Sequence, residues 1–137
     1  MTVNTKPIGV AFEDQNIIGS DLVLAADELG YTLDAQGAVT QLTSKSTAVT
    51  LNRSAGAITM NNAALNTATN VTFTLNNTKI SVNDVLVLSV SSGATAGAYN
   101  CWVSGKSAGS ASITLRNISG GSLSEAVVIN FAIIHCA

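Results

Sequence analysis

Charge is scarce in this chain of 137 residues: Lys and Arg number 6, Asp and Glu 8, and together they make 10% of the sequence. Soluble domains ordinarily carry about 25%. The six basic residues, Lys6, Lys45, Arg53, Lys79, Lys106 and Arg116, are scattered singly. Phosphate contacts need clustered Lys or Arg, so the charge argues against a nucleic-acid partner. Aromatics are at 4% with one Trp, too few for the stacking platforms of sugar-binding clefts. Two cysteines, Cys101 and Cys136, are too few for a disulfide framework and match no zinc or redox spacing. They read as two small, half-buried strand residues, with a late disulfide formed outside the cell as the alternative. No run approaches the ~18 apolar residues of a membrane span. The longest, Ala126 to Ile134, is broken by Asn130. Met1 to Pro7 lacks a basic region followed by an apolar run, so no secretory signal is expected and synthesis in a cytoplasm follows.

Catalytic groups are equally sparse. The one histidine, His135, has only Cys136 and Ser124 near it in sequence, which is no nucleophile–base–orienter arrangement. The carboxylate pairs Glu13-Asp14 and Asp27-Glu28 are sequence neighbours whose side chains diverge, unlike a pair flanking a glycosidic bond. Asn61-Asn62 and Asn83-Asp84 can offer oxygens to calcium, but no loop has the coordinating spacing. Gly93 to Gly97 lacks the Lys-Ser/Thr and following helix of a phosphate cradle. Asn-x-Ser/Thr triplets at Asn52, Asn70, Asn76 and Asn117 are those that a Ser-, Thr- and Asn-rich chain produces by chance. No catalytic, cofactor-binding or metal-binding residue is expected, and the chain does not read as an enzyme.

What the chain has instead is alternation. Thr47 to Asn52 places Val49 and Leu51 on one face; Ala57 to Met60 continues the two-residue period. Val71, Phe73 and Leu75 face inward, with Thr72, Thr74 and Asn76 outward. Asp84 to Ser91 is almost continuously apolar, the pattern of a strand covered on both faces. Tyr99 to Ser104, Ser110 to Arg116 and Glu125 to His135 complete the series, the last aligning Val127, Ile129, Phe131 and Ile133. Ser92 to Gly97 and Ser119 to Ser122 supply residues tolerant of positive φ, while Asn61-Asn62 and Asn76-Asn77 can cap their own backbone or adopt the left-handed region. Asn62 to Asn66 can form a helical turn. The spacing predicts an all-β fold of seven or eight antiparallel strands, a β-sandwich or jelly roll. Phe73, Phe131, Val87, Leu88, Ile113 and Ile129 are the expected core.

The first 36 residues differ and read as an N-terminal arm or docking segment preceding a β-sandwich domain at 37–137. Six of the eight acids lie here: Glu13, Asp14, Asp21, Asp27, Glu28 and Asp34. Ser20 can cap a helix over Asp21 to Leu29 ending at Gly30; the rival is a strand at Leu22 to Leu24 and a turn at Ala25 to Leu29.

Thr43 to Asn52, Gly56 to Leu65, Ser92 to Tyr99 and Gly109 to Ala126, in that order, resemble small proteins of tailed bacteriophages. The likeness runs from near Val39 to Ile134 and is to capsid decoration, or cement, proteins of the kind carried by a Bordetella podovirus. It implies a β-sandwich or jelly-roll domain on the outer surface of an icosahedral head, clamping neighbouring major capsid proteins, and commonly a dimer or trimer. The expected partners are therefore the phage major capsid protein and other copies of the chain, with neither nucleic acid nor membrane. The expected location is the virion. Low charge fits, because little repulsion opposes close association. The alternative function is a receptor- or glycan-binding module of a phage head or tail fibre; a secreted adhesin or pilin-like subunit lacks the expected export signal.

Overall fold

The computed structural model describes residues 30–136. The helix-or-strand alternatives at residues 21–29 and the carboxylate pairs Glu13-Asp14 and Asp27-Glu28 lie outside the described residues.

A single 3-10 turn, Leu33–Ala35, leads into eight strands: β1 (Gln36–Thr40), β2 (Val49–Thr50), β3 (Ala55–Thr59), β4 (Asn70–Asn76), β5 (Val85–Ser92), β6 (Tyr99–Ser107), β7 (Ser110–Asn117) and β8 (Val128–Ile134). They form two sheets of four. Sheet one has the order β1-β3-β8-β5 and sheet two the order β2-β4-β7-β6. The all-β, sandwich-like expectation is met, but the purely antiparallel one is not: β1 pairs with β3, and β2 with β4, in parallel. The cause lies in the path of the chain. From β1 to β5 each strand lies in the sheet opposite its predecessor. A strand returning to its own sheet after one strand in the opposite sheet has crossed the sandwich twice and runs in the original direction, so β3 lies parallel to β1 and β4 to β2. Only β6 and β7 are joined as a tight hairpin, through Ala108-Gly109, where Gly109 has φ +81°.

The core fills the space between the sheets. Sheet one contributes Ile58, Leu86, Ile129, Phe131 and Ile133, and sheet two Val49, Phe73, Leu75, Ile113 and Leu115, all buried. Full burial of each such side chain is worth roughly 1.5–3 kcal/mol. Gly56 sits opposite Phe131 in register. A Cβ there would stand 2.6 Å from the Gly37 carbonyl and 2.8 Å from Leu51 Cδ2, so only hydrogen fits beneath the ring.

Two expectations need correcting. Val87 is not core but 51% exposed, because β5 alternates: Leu86 points inward while Val85 and Val87 point out. Among the described residues, β5 is covered on one face, not both. Asn62 to Asn66 forms no helical turn; Leu65 instead makes a β-bridge to Leu123.

Buried amides fold the loops. Asn117 Nδ2 donates to the Leu65 and Gly121 carbonyls, and its Oδ1 accepts from the backbone and hydroxyl of Ser119. Gln41 Nε2 donates to the Lys45 and Thr47 carbonyls while its Oε1 accepts from Asn61 N–H. Asn61 and Asn77 cap the backbone two residues on, at Ala63 and Lys79. The one non-glycine residue with positive φ among those described is Ala68, at 57°.

Candidate association faces

Each sheet presents an outward face to the surroundings, and strand register fixes what lies there. On sheet one the outward rows read Gln36–Ala55–Ala132–Val87 and Ala38–Ala57–Asn130–Ser89, with Val85 opposite Ile134 at one end. No outward position in these rows is charged. The alanines keep the middle flat, and the aliphatic edge is open: Val85 is 49% and Ile134 54% exposed.

Two depressions mark this face. A cleft of about 420 Å³ is lined by Gly30, Tyr31, Ala132, Ile134 and His135. A shallower trough of about 320 Å³ lies over Gly37, Ala55, Gly56, Ala57 and Asn130. Tyr31 is anchored at both ends. Its hydroxyl donates to the Ile133 carbonyl on β8, and its own carbonyl accepts from Gln36 Nε2 at 3.0 Å.

Sheet two faces outward with a different chemistry. Its rows read Asn70–Arg116–Asn100, Thr72–Thr114–Trp102 and Asn76–Ser110–Ser107. Hydroxyls are chained across three strands: Thr72 Oγ1 and Thr114 Oγ1 lie 2.7 Å apart, and Thr114 donates to Ser104 Oγ at 2.9 Å. Such a surface satisfies its own polar groups and is readily hydrated.

The residues weighed for chemistry are held in structural networks. Asp84, fully buried, accepts from Ser81 N–H at 2.8 Å, Ser81 Oγ at 2.7 Å and Cys136 N–H at 3.3 Å, and meets His135 Nδ1 at 3.0 Å. The Ser81 N–H bond, aided by the Ser81 hydroxyl, Cys136 and His135 and opposed by burial, holds its pKa at about 2. Lys106 Nζ donates to the Asp84 carbonyl. This cluster ties the last residues of the chain to the start of β5. It brings His135 an orienting carboxylate; the Ser81 hydroxyl donates to Asp84, and the exposed Cys136 thiol stands 3.9 Å from the Ile134 carbonyl. The 51-residue separation hid this pair from sequence reading. The Ser81-x-x-Asp84 spacing, in which a side chain can return to a backbone N–H three residues away, was its only local signal.

A second network closes the opposite flank. Lys45 is buried, at 3% exposure, and its ammonium donates to the Asn61 and Glu125 carbonyls. Burial pushes its pKa down and the Glu125 carboxylate partly restores it. That carboxylate accepts from Thr95 Oγ1 at 2.6 Å and Thr95 N–H at 3.1 Å, which lowers its pKa. The Glu125 bond pins the Gly93–Gly97 loop, whose end glycines have φ +66° and +71°. Tyr99 is buried nearby, and burial reinforced by Glu125 pushes its phenol up to about 12.

Both thiols are free. Cys101 is half-buried on β6, and burial raises its pKa; Cys136 is exposed beyond β8. Of the Asn-x-Ser/Thr asparagines, Asn52, Asn70 and Asn76 are exposed and Asn117 is fully buried. Among the described residues there is no group of three or more His, Cys, Asp or Glu placed to hold a metal, and no helix long and apolar enough to cross a membrane.

No protein-family model matches the chain, and no curated protein or solved structure matches it significantly.

Proposed function

We propose that the chain is a non-enzymatic capsid decoration (cement) protein of a tailed bacteriophage, binding the outer surface of the icosahedral head and bridging major capsid proteins. The observation that carries this reading is the one-sidedness of the sandwich. The outer face of sheet one is uncharged in these rows, with small alanines across β1, β3 and β8 and exposed Val85, Val87 and Ile134 at the β5/β8 edge beside the amides and hydroxyl of Gln36, Asn130 and Ser89, whereas the outer face of sheet two is hydroxylated and carries Arg116. Apolar area left bare on one face of a small domain is characteristic of a surface that associates. Its flatness suits the broad, shallow contacts by which one protein lies against another, each adding buried area to the assembly.

In this reading the alanine rows of β1 and β3 lie against the shell and the Thr/Ser face points outward. The sandwich serves as the jelly-roll clamp that the sequence resemblance implies, and copies associate as a dimer or trimer. A shell strained by packaged DNA gains stability from every bridge that binds the intact lattice and not its separated subunits. The experiment is co-sedimentation of the purified protein with undecorated heads of its phage. Saturation at a fixed ratio to the major capsid protein is expected; no binding at any concentration overturns the reading.

A second reading, a glycan-binding fibre module, is favoured by one specific feature. Trp102 lies in the outward row of sheet two, beside the row that holds Asn100 and Arg116. An indole among amides and a guanidinium is the chemistry that stacks and hydrogen-bonds a sugar ring. Attachment to host cells that Trp102→Ala abolishes, with no binding to heads, would transfer the assignment to that module.

A further inference from the structure

We propose that Arg53 and Lys79 form a cationic cleft at the rim of sheet one's outer face, and that it takes a carboxylate from an acidic segment of the major capsid protein. The inference rests on the shell-binding reading and names the chemistry of the partner there.

The two cations are distant in sequence, and one buried amide joins their backbones. Asn77, 1% exposed, donates from Nδ2 to the Arg53 carbonyl at 2.7 Å, and its Oδ1 accepts from Lys79 N–H at 3.0 Å. Asn52 adds a second tie, its Oδ1 accepting from Thr78 N–H at 3.0 Å. Arg53 Nη1 donates to the Asp34 carbonyl, which fixes the guanidinium beside the 3-10 turn. Between them lies a cleft of about 310 Å³, with Thr32, Asp34, Asn52, Arg53, Ser54 and Lys79 on its walls.

Its charge is unbalanced. The basic residues among those described are Lys45, Arg53, Lys79, Lys106 and Arg116, and the acids are Asp34, Asp84 and Glu125. Lys45 and Lys106 are committed to backbone carbonyls, and Asp84 and Glu125 to their own networks. Of the cations left over, Arg53 and Lys79 share this cleft, and both are exposed. Among the described residues neither forms an ion pair: Asp34 offers Arg53 its backbone oxygen, not its carboxylate. A guanidinium fork with donors to spare, beside a mobile ammonium, matches the two oxygens of an incoming carboxylate.

Position ties the cleft to the associating face. Ala35 and Ser54 border it, and the next residues, Gln36 and Ala55, border the trough over Gly37 and Ala57. A segment seated on the alanine rows therefore reaches the cleft at the β1/β3 side, away from the aliphatic edge at β5. An acidic side chain held there gives the contact the register and orientation that an uncharged surface lacks.

Co-sedimentation with undecorated heads at low and high salt tests this, using Lys79→Glu and Lys79→Arg. The Lys79 side chain makes no hydrogen bond among the described residues, and each variant is first shown to unfold at the urea midpoint of the parent. Salt should weaken binding by the parent. At low salt Lys79→Glu should bind about tenfold more weakly or worse, while Lys79→Arg binds as the parent does. Parent-like binding by Lys79→Glu overturns the inference and leaves the shell-binding reading standing; no binding by the unaltered protein overturns both. Sedimentation velocity of the free protein covers the other occupant. A change of oligomer in Lys79→Glu would make the cleft a contact between copies, and the inference would fall.

Discussion

The two outer faces of this sandwich are drawn from one restricted set of residues and do opposite things with it. On sheet two, Asn70, Thr72, Thr114 and Ser112 lie in the outward rows, and the hydroxyls of Thr72, Thr114 and Ser104 bond one another across the strands. On sheet one, Ala38, Ala55, Ala57 and Ala132 hold the equivalent positions, and Val85, Val87 and Ile134 border them. Sheet one's outward rows hold no charge and sheet two's include Arg116, in a chain that has little charge altogether. In a chain so poor in Lys, Glu, Asp and Arg, the two faces therefore differ chiefly as methyl against hydroxyl. The two-residue period of the strand places each choice on a defined face.

The strongest way to sharpen this contrast is to cross from the outer to the inner side of sheet one. Phe131→Ala removes a ring that is 3% exposed and should cost roughly 3–5 kcal/mol in urea titration. A loss near zero would mean that β8 faces the other way, and the face assignment would fall with it. Gly56→Ala should cost about 1–3 kcal/mol by the same measurement, since the added methyl meets Leu51 and the Gly37 carbonyl under the Phe131 ring. Ala57→Ser, one residue on and facing outward, should change stability by less than about 0.5 kcal/mol. Equal costs at 56 and 57 would break the inside–outside distinction on β3.

A gentler effect is read as a slope against pH. Asp84 has its pKa held at about 2 in the folded chain, whereas an unfolded Asp titrates near ~3.9. Between these values the unfolded chain binds the extra proton, so this stabilisation is complete above about pH 5 and is lost as pH falls toward 2. Asp84→Asn should flatten the dependence of the urea midpoint over that window. Glu125, also lowered, leaves a residual slope of the same sign. An unchanged profile in the variant would mean that the carboxylate does not hold the C-terminal residues to β5.

The smallest effect is chemical. Cys136 is exposed, while Cys101 is half-buried with its thiol pKa raised. A thiol reagent should modify about one cysteine per folded chain quickly and the second only on unfolding. Two fast equivalents would place the inner side of β6 in solvent.

Most strands were legible because alternation is a local signal. Val71–Asn76, Ala57–Met60 and the run ending in Ile133 carry the two-residue period, and Val71, Phe73, Leu75, Ile129 and Phe131 turn inward as it predicts. The parallel edges were not legible: which sheet a five-residue strand joins depends on loops that cross the sandwich, and nothing in Gln36–Thr40 itself records its neighbour. Val87 was misplaced for a related reason. An apolar run in β5 states that both faces avoid water but not what covers the second one, and among the described residues nothing does. The Asp84–His135 and Lys45–Glu125 networks join residues 51 and 80 positions apart, beyond any sequence window.

The central claim is that sheet one's outer face associates and sheet two's does not. Its most direct test is co-sedimentation with undecorated heads of two single-arginine variants, Ala57→Arg on sheet one and Ser112→Arg on sheet two, each first shown to unfold at the urea midpoint of the parent. The account predicts that Ala57→Arg weakens head binding by at least tenfold while Ser112→Arg binds as the parent does. Undiminished binding by Ala57→Arg with loss in Ser112→Arg would contradict it and give the associating role to the hydroxylated face.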